Sequence, residues 1–588
     1  MPGSGLDRFL DRMPGGYPLF AAVMAVARQP SLEWRASPLN HWRLSHPAPD
    51  GLAATPRDLR PADPEAGRRI LAGGFVFAGE TLAIGPRGDP WDRASPSRRF
   101  AEALHGFSWL KDLTAHGEPG AWEALRLTLG WRRLFMRWNG FAWAPEVLER
   151  RVFNLACAIA AISGPASDAE ADQISADLAR QARFLLELDE GAPRATERAV
   201  VAAVAGAALG GAAGEGLLDR ALERLDPALA RAVTPDGGHF SRSPQAALEL
   251  FFDLATLVDG LAQRGVEPSG EMMRALDRLG GAVRFFTLRD GRLAGFQGGA
   301  SLPAAYVAAA RAMDEAGDRT PPASRNGYYR LEGRALQVMV DAASPASGAW
   351  SQTACAQPLA ITVLASGKPL IVGAGWSPQV QGPQALRLVD AASTLCVSDA
   401  ACGAPLSGFP ADVLGPRLRD AYAVSGVDRQ DDARGAVWLE ASHDGWARRF
   451  GLRHERRLYL NVEADELRGE DSLIALAPKG GPDGRRFVPF VVRFHLHPQV
   501  SALIARDKTS VLLKAEGDEA GWWLRTDALE VTLEPSAQHR DGVVRHGQQI
   551  VLRGQARLDA GAKLRWKLSA ASQDRTEPVH VDEPQASA

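Results

Sequence analysis

The chain has 588 residues, which is too long for one hydrophobic core and predicts two or three domains. Hydrophobic residues make up 46% and charged residues 23%, and the net charge of −3 gives no overall field that would attract nucleic acid. No apolar run reaches the roughly 18 residues of a membrane span. The four cysteines lack the spacing of a zinc or redox site, so neither a disulfide framework nor a cofactor is expected.

The first 95 residues are rich in proline, glycine and arginine. We expect residues 1–95 to form an irregular segment, with a small hairpin over 73–84, that packs against a larger domain. The apolar run 17–26 follows acidic as well as basic residues and lacks a clear cleavage site, so it predicts a short helix rather than a secretory signal. This favours a cytoplasmic location, with the periplasm as the alternative.

A helical pattern runs from residue 96 to about residue 316. Apolar residues recur at steps of three and four along 100–116, 121–138, 145–162, 169–188, 196–209, 216–233, the stretch after Pro244, and 271–288. Short breaks rich in Gly, Pro or Asn separate these helices. Consecutive helices with short connections predict stacked antiparallel pairs, in a bundle, a solenoid or a helical toroid.

The most distinctive turn of this region is PDGG at 235–238. Its residue types favour a tight turn, and Ser243 and Pro244 then predict the start of a helix. His239 and Arg242 lie just ahead of that helix, whose N-terminus favours an anion. The alternative is a capped helix preceded by a solvated loop that binds no ligand.

The pattern changes after the Pro-rich break at 318–327. Alternating apolar residues predict strands over 328–341, 359–364, 437–442, 490–497, 522–532, 549–552 and 564–568. Strands without intervening helices predict an antiparallel sandwich or a large barrel rather than a parallel α/β sheet. The polar tail after residue 572 is expected to be loose.

Histidines in two segments of this second half could support chemistry. His443 lies at the lip of a predicted hairpin, and His495 and His497 alternate along a predicted strand. Two histidines at i and i+2 on a strand can share a metal ion. No third ligand is evident nearby in the sequence, so a polar strand face is favoured, with a structural divalent metal as the alternative.

Six stretches along the chain together resemble the heparinase II/III-like family, namely FSWLKDL at 107–113, PDGGHFSRSP at 235–244, FFTLRDGRLAGFQG at 285–298, STLCVSD at 393–399, ASHDGW at 441–446 and RFHLHP at 493–498. The resemblance covers nearly the whole chain. It implies an incomplete (α/α) helical toroid over 96–317 and an antiparallel β-sandwich over 318–572, with residues 1–95 packed on the toroid and a polar tail over 573–588. It also implies a polysaccharide lyase that acts on uronic-acid-containing polymers, such as heparan sulfate or alginate, in a cleft between the two domains.

β-Elimination on such a polymer removes the proton α to the uronate carboxylate and expels the glycosidic oxygen. It needs a group that neutralises the carboxylate, a base and an acid. The resemblance implies an Asn, Gln or Glu as the neutraliser near the PDGG turn, with Tyr and His as base and acid. In this chain the candidates are Arg242 and Gln245 for the carboxylate and His239 for the base. Further candidates are Tyr306, with Tyr328 as its alternative, and His443.

Two positions depart from the pattern of the family. Family members usually carry a histidine in a His-Ala segment on an early strand of the sandwich, where this chain has Cys355. A neutral thiol is a poor substitute for imidazole in acid–base chemistry near pH 7. Residues 371–375 also lack the acidic residue with which lyases commonly bind a structural metal. Two functions therefore stay open: a uronate-polymer lyase with a modified acid–base set, and a non-catalytic protein that binds anionic oligosaccharides.

Overall fold

The structure is a computed structural model that describes residues 4–13, 15–188, 193–314, 321–378, 384–432, 435–476, 486–540 and 543–571. Within these ranges, helices dominate up to residue 314 and antiparallel strands dominate from residue 321 onward. This arrangement confirms the predicted fold class, a helical toroid followed by an antiparallel β-sandwich. The expected domain boundary at 317 and 318 and the expected tail over 573–588 lie outside the described residues.

The helices of the N-terminal part are α1 (Ser4–Arg12), α2 (Gly16–Ala36), α3 (Pro38–Ser45), α4 (Pro64–Leu71), α5 (Arg98–His105), α6 (Leu110–Thr114), α7 (Glu118–Phe135), α8 (Pro145–Ser163), α9 (Asp168–Leu186), α10 (Ala195–Ala208), α11 (Gly211–Ala232), α12 (Pro244–Gln263), α13 (Gly270–Phe286) and α14 (Ala304–Arg311). The helices predicted between 121 and 288 are confirmed as α7 to α13. The helix predicted over 100–116 is instead two helices, because Phe107 between α5 and α6 has a φ of 58°, which a continuous helix does not allow. Among the described residues, none of the helices combines the length and the apolar composition of a membrane span.

Residues 1–95 contain more regular structure than the sequence predicts. The expectation of an irregular segment is wrong where α1, α3 and α4 form, and the short helix predicted over 17–26 is confirmed as part of the longer α2. The predicted hairpin is confirmed as β1 (Gly74–Phe77) and β2 (Glu80–Ala83). Pro38 and Pro64 suggest chain breaks in the sequence. They occupy the first positions of α3 and α4, where proline is tolerated because its missing N–H is not needed.

This N-terminal segment packs on both domains, not on the toroid alone. Helix α3 lies against α9 of the toroid. Leu10 and Tyr17, from α1 and α2, share a small apolar cluster with Leu406 and Leu414 of the β-domain. The segment therefore bridges the two halves of the chain.

Helix α10 lies at the centre of the helical domain and contacts α8, α9, α11 and α12. Its residues 196–208 are all buried, and most of them are Ala or Val. Small side chains let the neighbouring helices approach closely. At Gly206 a Cβ atom would lie 2.6 Å from the backbone nitrogen of Leu218 on α11, so only glycine fits without a shift.

Two antiparallel sheets form the β-sandwich. The first sheet has the strand order β11 (Val424–Asp431), β12 (Ala436–His443), β13 (Leu452–Asn461), β14 (Glu466–Ala475), β21 (Ala562–Ala570), β18 (Trp522–Thr526), β17 (Ser510–Ala515) and β16 (Val500–Ile504). The second has the order β19 (Glu530–Arg540), β20 (Val543–Arg557), β15 (Phe487–Leu496), β7 (Lys368–Val372), β6 (Ile361–Ala365), β5 (Leu336–Asp341), β4 (Tyr328–Glu332) and β3 (Ser324–Arg325), and β8 (Leu395–Val397) pairs with β15. Apolar side chains from both sheets share one core.

Short elements complete the β-domain: the strand pair β9 (Ala404–Pro405) and β10 (Leu418–Arg419), and the helices α15 (Phe409–Leu414) and α16 (Ala447–Phe450). The predicted strands are confirmed as β6, β12, β15, β20 and β21, and the stretch 328–341 is a hairpin of β4 and β5. The single strand predicted over 522–532 is wrong, because β18 and β19 belong to different sheets. The chain crosses from one sheet to the other between β18 and β19, and the apolar alternation continues because both strands face the same core.

Candidate functional site

The PDGG turn connects α11 to α12 in the way that its residues predict. Gly237 has a φ of 93°, and the N–H of Gly238 donates to Thr234 Oγ1 at 2.7 Å. The Ser243 hydroxyl accepts the N–H of Ala246 at 3.4 Å and so caps α12, with Pro244 at its first position. The turn thereby fixes the segment 239–242 between the toroid and the sandwich.

Arg242 is buried at the junction of the two domains, with a φ of 65°. Its Nη2 lies 2.5 Å from Asp341 Oδ1 on β5, and its guanidinium lies 4.6 Å from the centre of the Tyr328 ring. Burial acts against its charge, but the Asp341 carboxylate outweighs burial and raises the pKa of Arg242. The remaining donors bond to backbone oxygens, those of Asn326, Gly327, Ala343 and Ser344.

These contacts settle what Arg242 can do. The expected position at the junction is confirmed. The expected role as a carboxylate anchor is not supported, because all five N–H donors of the guanidinium already have acceptors within the protein. Arg242 therefore joins the domains, and a substrate carboxylate would have to displace Asp341 to reach it.

Asp341 extends this contact into a network. Gln297, in the loop between α13 and α14, donates from Nε2 to Asp341 Oδ2 at 2.8 Å and accepts the N–H of Cys355 at 2.9 Å. We call Arg242, Asp341, Gln297 and Cys355 the junction network. Its members come from the toroid, the connecting loop and the sandwich, so it fixes all three against each other.

Cys355 is buried, and burial raises the pKa of its thiol to about 11. The thiol is therefore neutral at pH 7. It lines a cavity of about 20 Å³ together with Gln297 and Trp376, which is room for about one water molecule. The position at which the family resemblance places a histidine thus holds a neutral group without space for a sugar.

Gln245 lies on the first turn of α12 and is buried. Its Oε1 accepts the N–H of Ala300 at 2.8 Å and holds the loop that carries Gln297. The structure therefore places Gln245 beside the junction network, where it supports the loop.

His239 is the candidate that keeps an unpaired proton-transfer atom. Its Nδ1 lies 2.7 Å from Ser241 Oγ and accepts the Ser241 N–H at 3.2 Å, which leaves the proton of the neutral ring on Nε2. Nε2 lies 3.5 Å from Glu197 Oε1 on α10, and the ring of Trp350 lies 5.6 Å away. Neither His239 Nε2 nor Glu197 Oε2 has a hydrogen-bond partner among the described residues.

Glu197 stays ionised beside His239. Burial acts against its charge, but Arg194 and the nearby His239 together outweigh burial and lower the pKa of Glu197 to about 2. The sequence gives no sign of Glu197, because it lies in the first turn of α10 with no local motif to mark it. Sequence reasoning also misses Asp341, whose only signal is its position at the end of a predicted strand.

Tyr306 belongs to a different cluster inside the toroid. Its hydroxyl donates to Glu249 Oε1 at 3.3 Å, and Glu249 and Asp253 pair with the buried Arg60 at 2.8 and 2.6 Å. Burial raises the pKa of Tyr306 well above its usual value, so the phenol is neutral and is not a base. The alternative candidate, Tyr328, donates its hydroxyl to the carbonyl of Arg242 at 2.8 Å.

His443 is buried inside the sandwich in a chain of hydrogen bonds. Its Nδ1 accepts the N–H of Gly445, its Nε2 lies 3.0 Å from His454 Nδ1, and His454 Nε2 lies 2.8 Å from Asp471 Oδ1. Burial holds the pKa of His443 well below its usual value. Both ring nitrogens are engaged, so His443 is a core residue, and the structure does not bring it to His239.

The histidines of the predicted metal strand also have other partners. His495 contacts Ser536 Oγ and the carbonyl of Asp390, and His497 contacts Arg540. Among the described residues, the group with suitable ligand spacing is Asp390, Cys396 and Asp399. Arg493 already pairs with the carboxylates of Asp390 and Asp399, at 3.3 and 3.6 Å. The guanidinium of Arg493 therefore supplies the positive charge that a metal ion would supply in this group.

Comparison with known proteins gives the relationships of the chain. The family model described as Heparinase II/III-like, C-terminal, matches residues 317–575. FtsZ-localized protein C from Caulobacter vibrioides (strain NA1000 / CB15N) is 49% identical over 567 residues, which cover 96% of this chain and 98% of that relative.

Solved structures share the fold at much lower sequence identity. The crystal structure of heparinase III matches with a TM-score of 0.64 at 15% identity, over 83% of this chain and 80% of that chain. A mutant of the heparan sulfate lyase HepC from Pedobacter heparinus matches with a TM-score of 0.56 at 14% identity, over 90% of this chain and 87% of that chain. The chain therefore belongs to the same family as FtsZ-localized protein C, and its residues 317–575 are a heparinase II/III-like C-terminal domain.

Proposed function

We propose that this chain is a non-catalytic member of the heparinase II/III-like family that localises with FtsZ. The proposal that the protein is non-catalytic rests on the hydrogen bonds that the candidate catalytic atoms already make. β-Elimination needs a base that can reach the α-proton and a donor that neutralises the carboxylate. The five donors of Arg242 and both ring nitrogens of His443 are bonded to the protein itself.

The ionisation states point in the same direction. The Cys355 thiol, with a pKa of about 11, does not exchange protons at neutral pH, and burial keeps the Tyr306 phenol neutral as well. These groups stabilise the junction and the toroid interior. Restoring catalysis would require several of them to leave partners that lie within hydrogen-bond distance.

The second part of the proposal follows from sequence identity. A relative that is 49% identical over nearly the full length of both chains is named for its localisation with FtsZ. That identity includes both domains, so it is consistent with a shared binding surface as well as a shared fold. The lyases of known structure share the fold at 14–15% identity, and such a low identity does not indicate a shared binding surface.

A localisation experiment tests this part. A fluorescent fusion of this chain is expressed in Caulobacter vibrioides that lacks its own FtsZ-localized protein C, together with labelled FtsZ. We expect the two signals to coincide. A fusion of the lyase HepC is the control, because it has the same fold and is expected to remain diffuse. A diffuse signal for this chain would contradict the proposal.

A uronate-polymer lyase is the second candidate, and one observation favours it. His239 Nε2, which carries the ring proton and lies 3.5 Å from Glu197 Oε1, has no hydrogen-bond partner among the described residues, as a general acid for the leaving oxygen would. If the protein is a lyase of this kind, His239→Ala must abolish formation of an unsaturated uronate product. Glu197→Gln should then reduce the rate and shift its pH dependence.

A further inference from the structure

Strand β16 lies at the end of the first sheet and pairs with β17 on one side only. Just before β16, the N–H of Glu516 donates to the carbonyl of Gln499 at 2.9 Å. In an antiparallel ladder, residues that exchange hydrogen bonds with the neighbouring strand alternate with residues that do not. The amide groups of Val500, Ala502 and Ile504 therefore point away from β17, towards the open edge of the sheet.

Most of the backbone groups at this edge are unpaired. The N–H of Val500 donates to the carbonyl of His497 at 2.8 Å. Among the described residues, the carbonyl of Val500 and both amide groups of Ala502 and Ile504 have no backbone partner. Such a row of free donors and acceptors is a template for one more strand.

The other edges of the two sheets carry features that block pairing. Strand β11 has a bulge at Gly426, and Arg429 Nη1 reaches across its edge to the carbonyl of Arg330 at 2.8 Å. Strand β19 contains Pro535, which has no N–H to donate, and β3 has only two residues. Strand β16 has none of these features, because its sequence VSALI contains no proline and no charged residue and its register with β17 is regular. The β16 edge is therefore the one at which another strand can pair.

The shape of the β16 edge is self-complementary about its central residue, Ala502. Leu503 is 67% exposed on the outer side of the sheet. Ser501 lies beside a shallow groove of about 420 Å³ that residues 498–501 and 514–517 line. When a second β16 pairs antiparallel about Ala502, Leu503 of each copy lies beside Ser501 of the other. The exposed leucine and the groove then meet on both sides of the two-fold axis.

The two ends of this edge carry opposite charge. The end formed by residues 514–519 has three carboxylates, those of Glu516, Asp518 and Glu519. Two lysines lie at the same end, Lys514 and Lys368, and Lys368 pairs with Asp518 at 2.8 Å. Three acidic and two basic groups leave a net charge of −1, and the side chains of Glu516 and Glu519 are exposed.

The opposite end, residues 505–509, is basic. Arg506 and Lys508 are exposed, and neither has an ion-pair partner among the described residues. The carboxylate of Asp507 is directed into the turn, where it accepts the N–H groups of Thr509 and Ser510 at 3.0 Å. Two basic groups and one acidic group leave a net charge of +1. Antiparallel pairing of two such edges sets the basic end of each copy against the acidic end of the other.

We propose that two copies of this chain pair through their β16 edges, antiparallel and centred on Ala502, so that their first sheets join into one continuous sheet. The N–H of Ala502 donates to the Ala502 carbonyl of the second copy, and the N–H of Ile504 donates to its Val500 carbonyl. Because both copies use the same edge, the contact closes on itself and association stops at a dimer. The site lies in the sandwich, and the proposal does not depend on localisation with FtsZ.

Sedimentation velocity on the full chain tests this contact. We expect a dimer that forms with increasing concentration between about 1 and about 100 μM, because a short edge is a small interface. Ala502→Pro removes the outward N–H without touching a bond to β17, and should weaken association at least about tenfold. Leu503→Lys should do the same by placing a charge in the contact. The matched control is Leu134→Lys on α7, where the leucine is 58% exposed and its replacement should leave association unchanged.

A charge exchange tests the antiparallel orientation. Arg506→Glu and Glu516→Lys should each weaken self-association, because each gives both ends of the edge charge of the same sign. A mixture of these two variants should dimerise again, since each altered end then meets its complement. The proposal is overturned if the wild type stays monomeric at the highest concentration, if Ala502→Pro and Leu503→Lys both dimerise like the wild type, or if the mixture associates no better than its two components.

Discussion

Arg242 and Asp341 form a buried ion pair that joins the toroid to the sandwich, with Nη2 and Oδ1 2.5 Å apart. Both side chains are almost completely withdrawn from solvent. Gln297 occupies the second oxygen of Asp341, and backbone oxygens take the other donors of Arg242. The junction at which a lyase would hold its substrate is therefore filled by contacts of the protein with itself.

Arg242→Lys should destabilise the protein by about 3 kcal/mol, because a buried charge pair that loses a partner or its geometry leaves polar groups unpaired. Lysine keeps the charge but cannot supply five donors in a planar fork. Urea unfolding of the two proteins measures the difference. This expectation differs from the one that the sequence suggests, in which Arg242 acts on a ligand and its replacement leaves stability nearly unchanged.

The control for that experiment is Arg57→Lys. Arg57 pairs with Asp259 at 2.5 Å, but its side chain is 74% exposed, so water replaces the lost contact and stability should hardly change. Equal stability of Arg242→Lys and the wild type would show that the junction pair is not needed to hold the domains.

Stability should fall as the pH falls below about 6.5, partly because of His495. Burial lowers the pKa of His495 to about 4 in the folded protein, against about 6.5 in the unfolded chain. The neutral ring therefore contributes stability that is complete above pH 6.5 and is lost as pH falls towards 4, up to about 3 kcal/mol. Unfolding at pH 7.5, 6 and 5 tests this. His495→Gln should flatten the dependence, and His46→Gln should leave it unchanged.

Cys355 should be inert in the native protein. Its pKa of about 11 leaves almost no thiolate at pH 8, and the cavity beside it admits about one water molecule. Iodoacetamide at pH 8 should therefore leave the Cys355 peptide unmodified in buffer and alkylate it fully in urea, as mass spectrometry can measure. Fast alkylation of the native protein would mean that the junction opens.

Gly206 should tolerate no larger residue. A Cβ there would lie 2.6 Å from the backbone of α11, so Gly206→Ala should cost about 1–3 kcal/mol through overpacking. Gly216, on α11, has no atom within 4 Å of an added Cβ. Gly216→Ala should therefore stabilise the protein by up to about 1 kcal/mol, because alanine favours a helix. Circular dichroism melting curves of both variants decide the matter.

Much of the fold follows from the sequence because its signals are local. The three- and four-residue steps from α7 to α13 and the Ser243–Pro244 start of α12 each depend on a few neighbouring residues. The failures are positions where the local signal is ambiguous. Pro38 and Pro64 indicate both a break and a helix start, and apolar alternation does not reveal that β18 and β19 lie in different sheets.

The site is harder to predict because the partners of its residues are distant in the chain. The sequence places His239 and Arg242 at the domain junction, yet it gives no sign that Asp341 would take the guanidinium of Arg242, 99 residues away. A charged residue ahead of a helix has the same local sequence whether it binds a ligand or a carboxylate of the protein. Glu197 is missed for the same reason.

Formation of an unsaturated uronate product tests the central claim most directly. The purified chain is incubated with heparan sulfate, alginate and polygalacturonate, and the ultraviolet absorbance of the product is followed, with the lyase HepC on heparan sulfate as the positive control. The account predicts no increase in absorbance on any polymer. An increase that depends on enzyme concentration and disappears in His239→Ala would contradict it and establish the lyase.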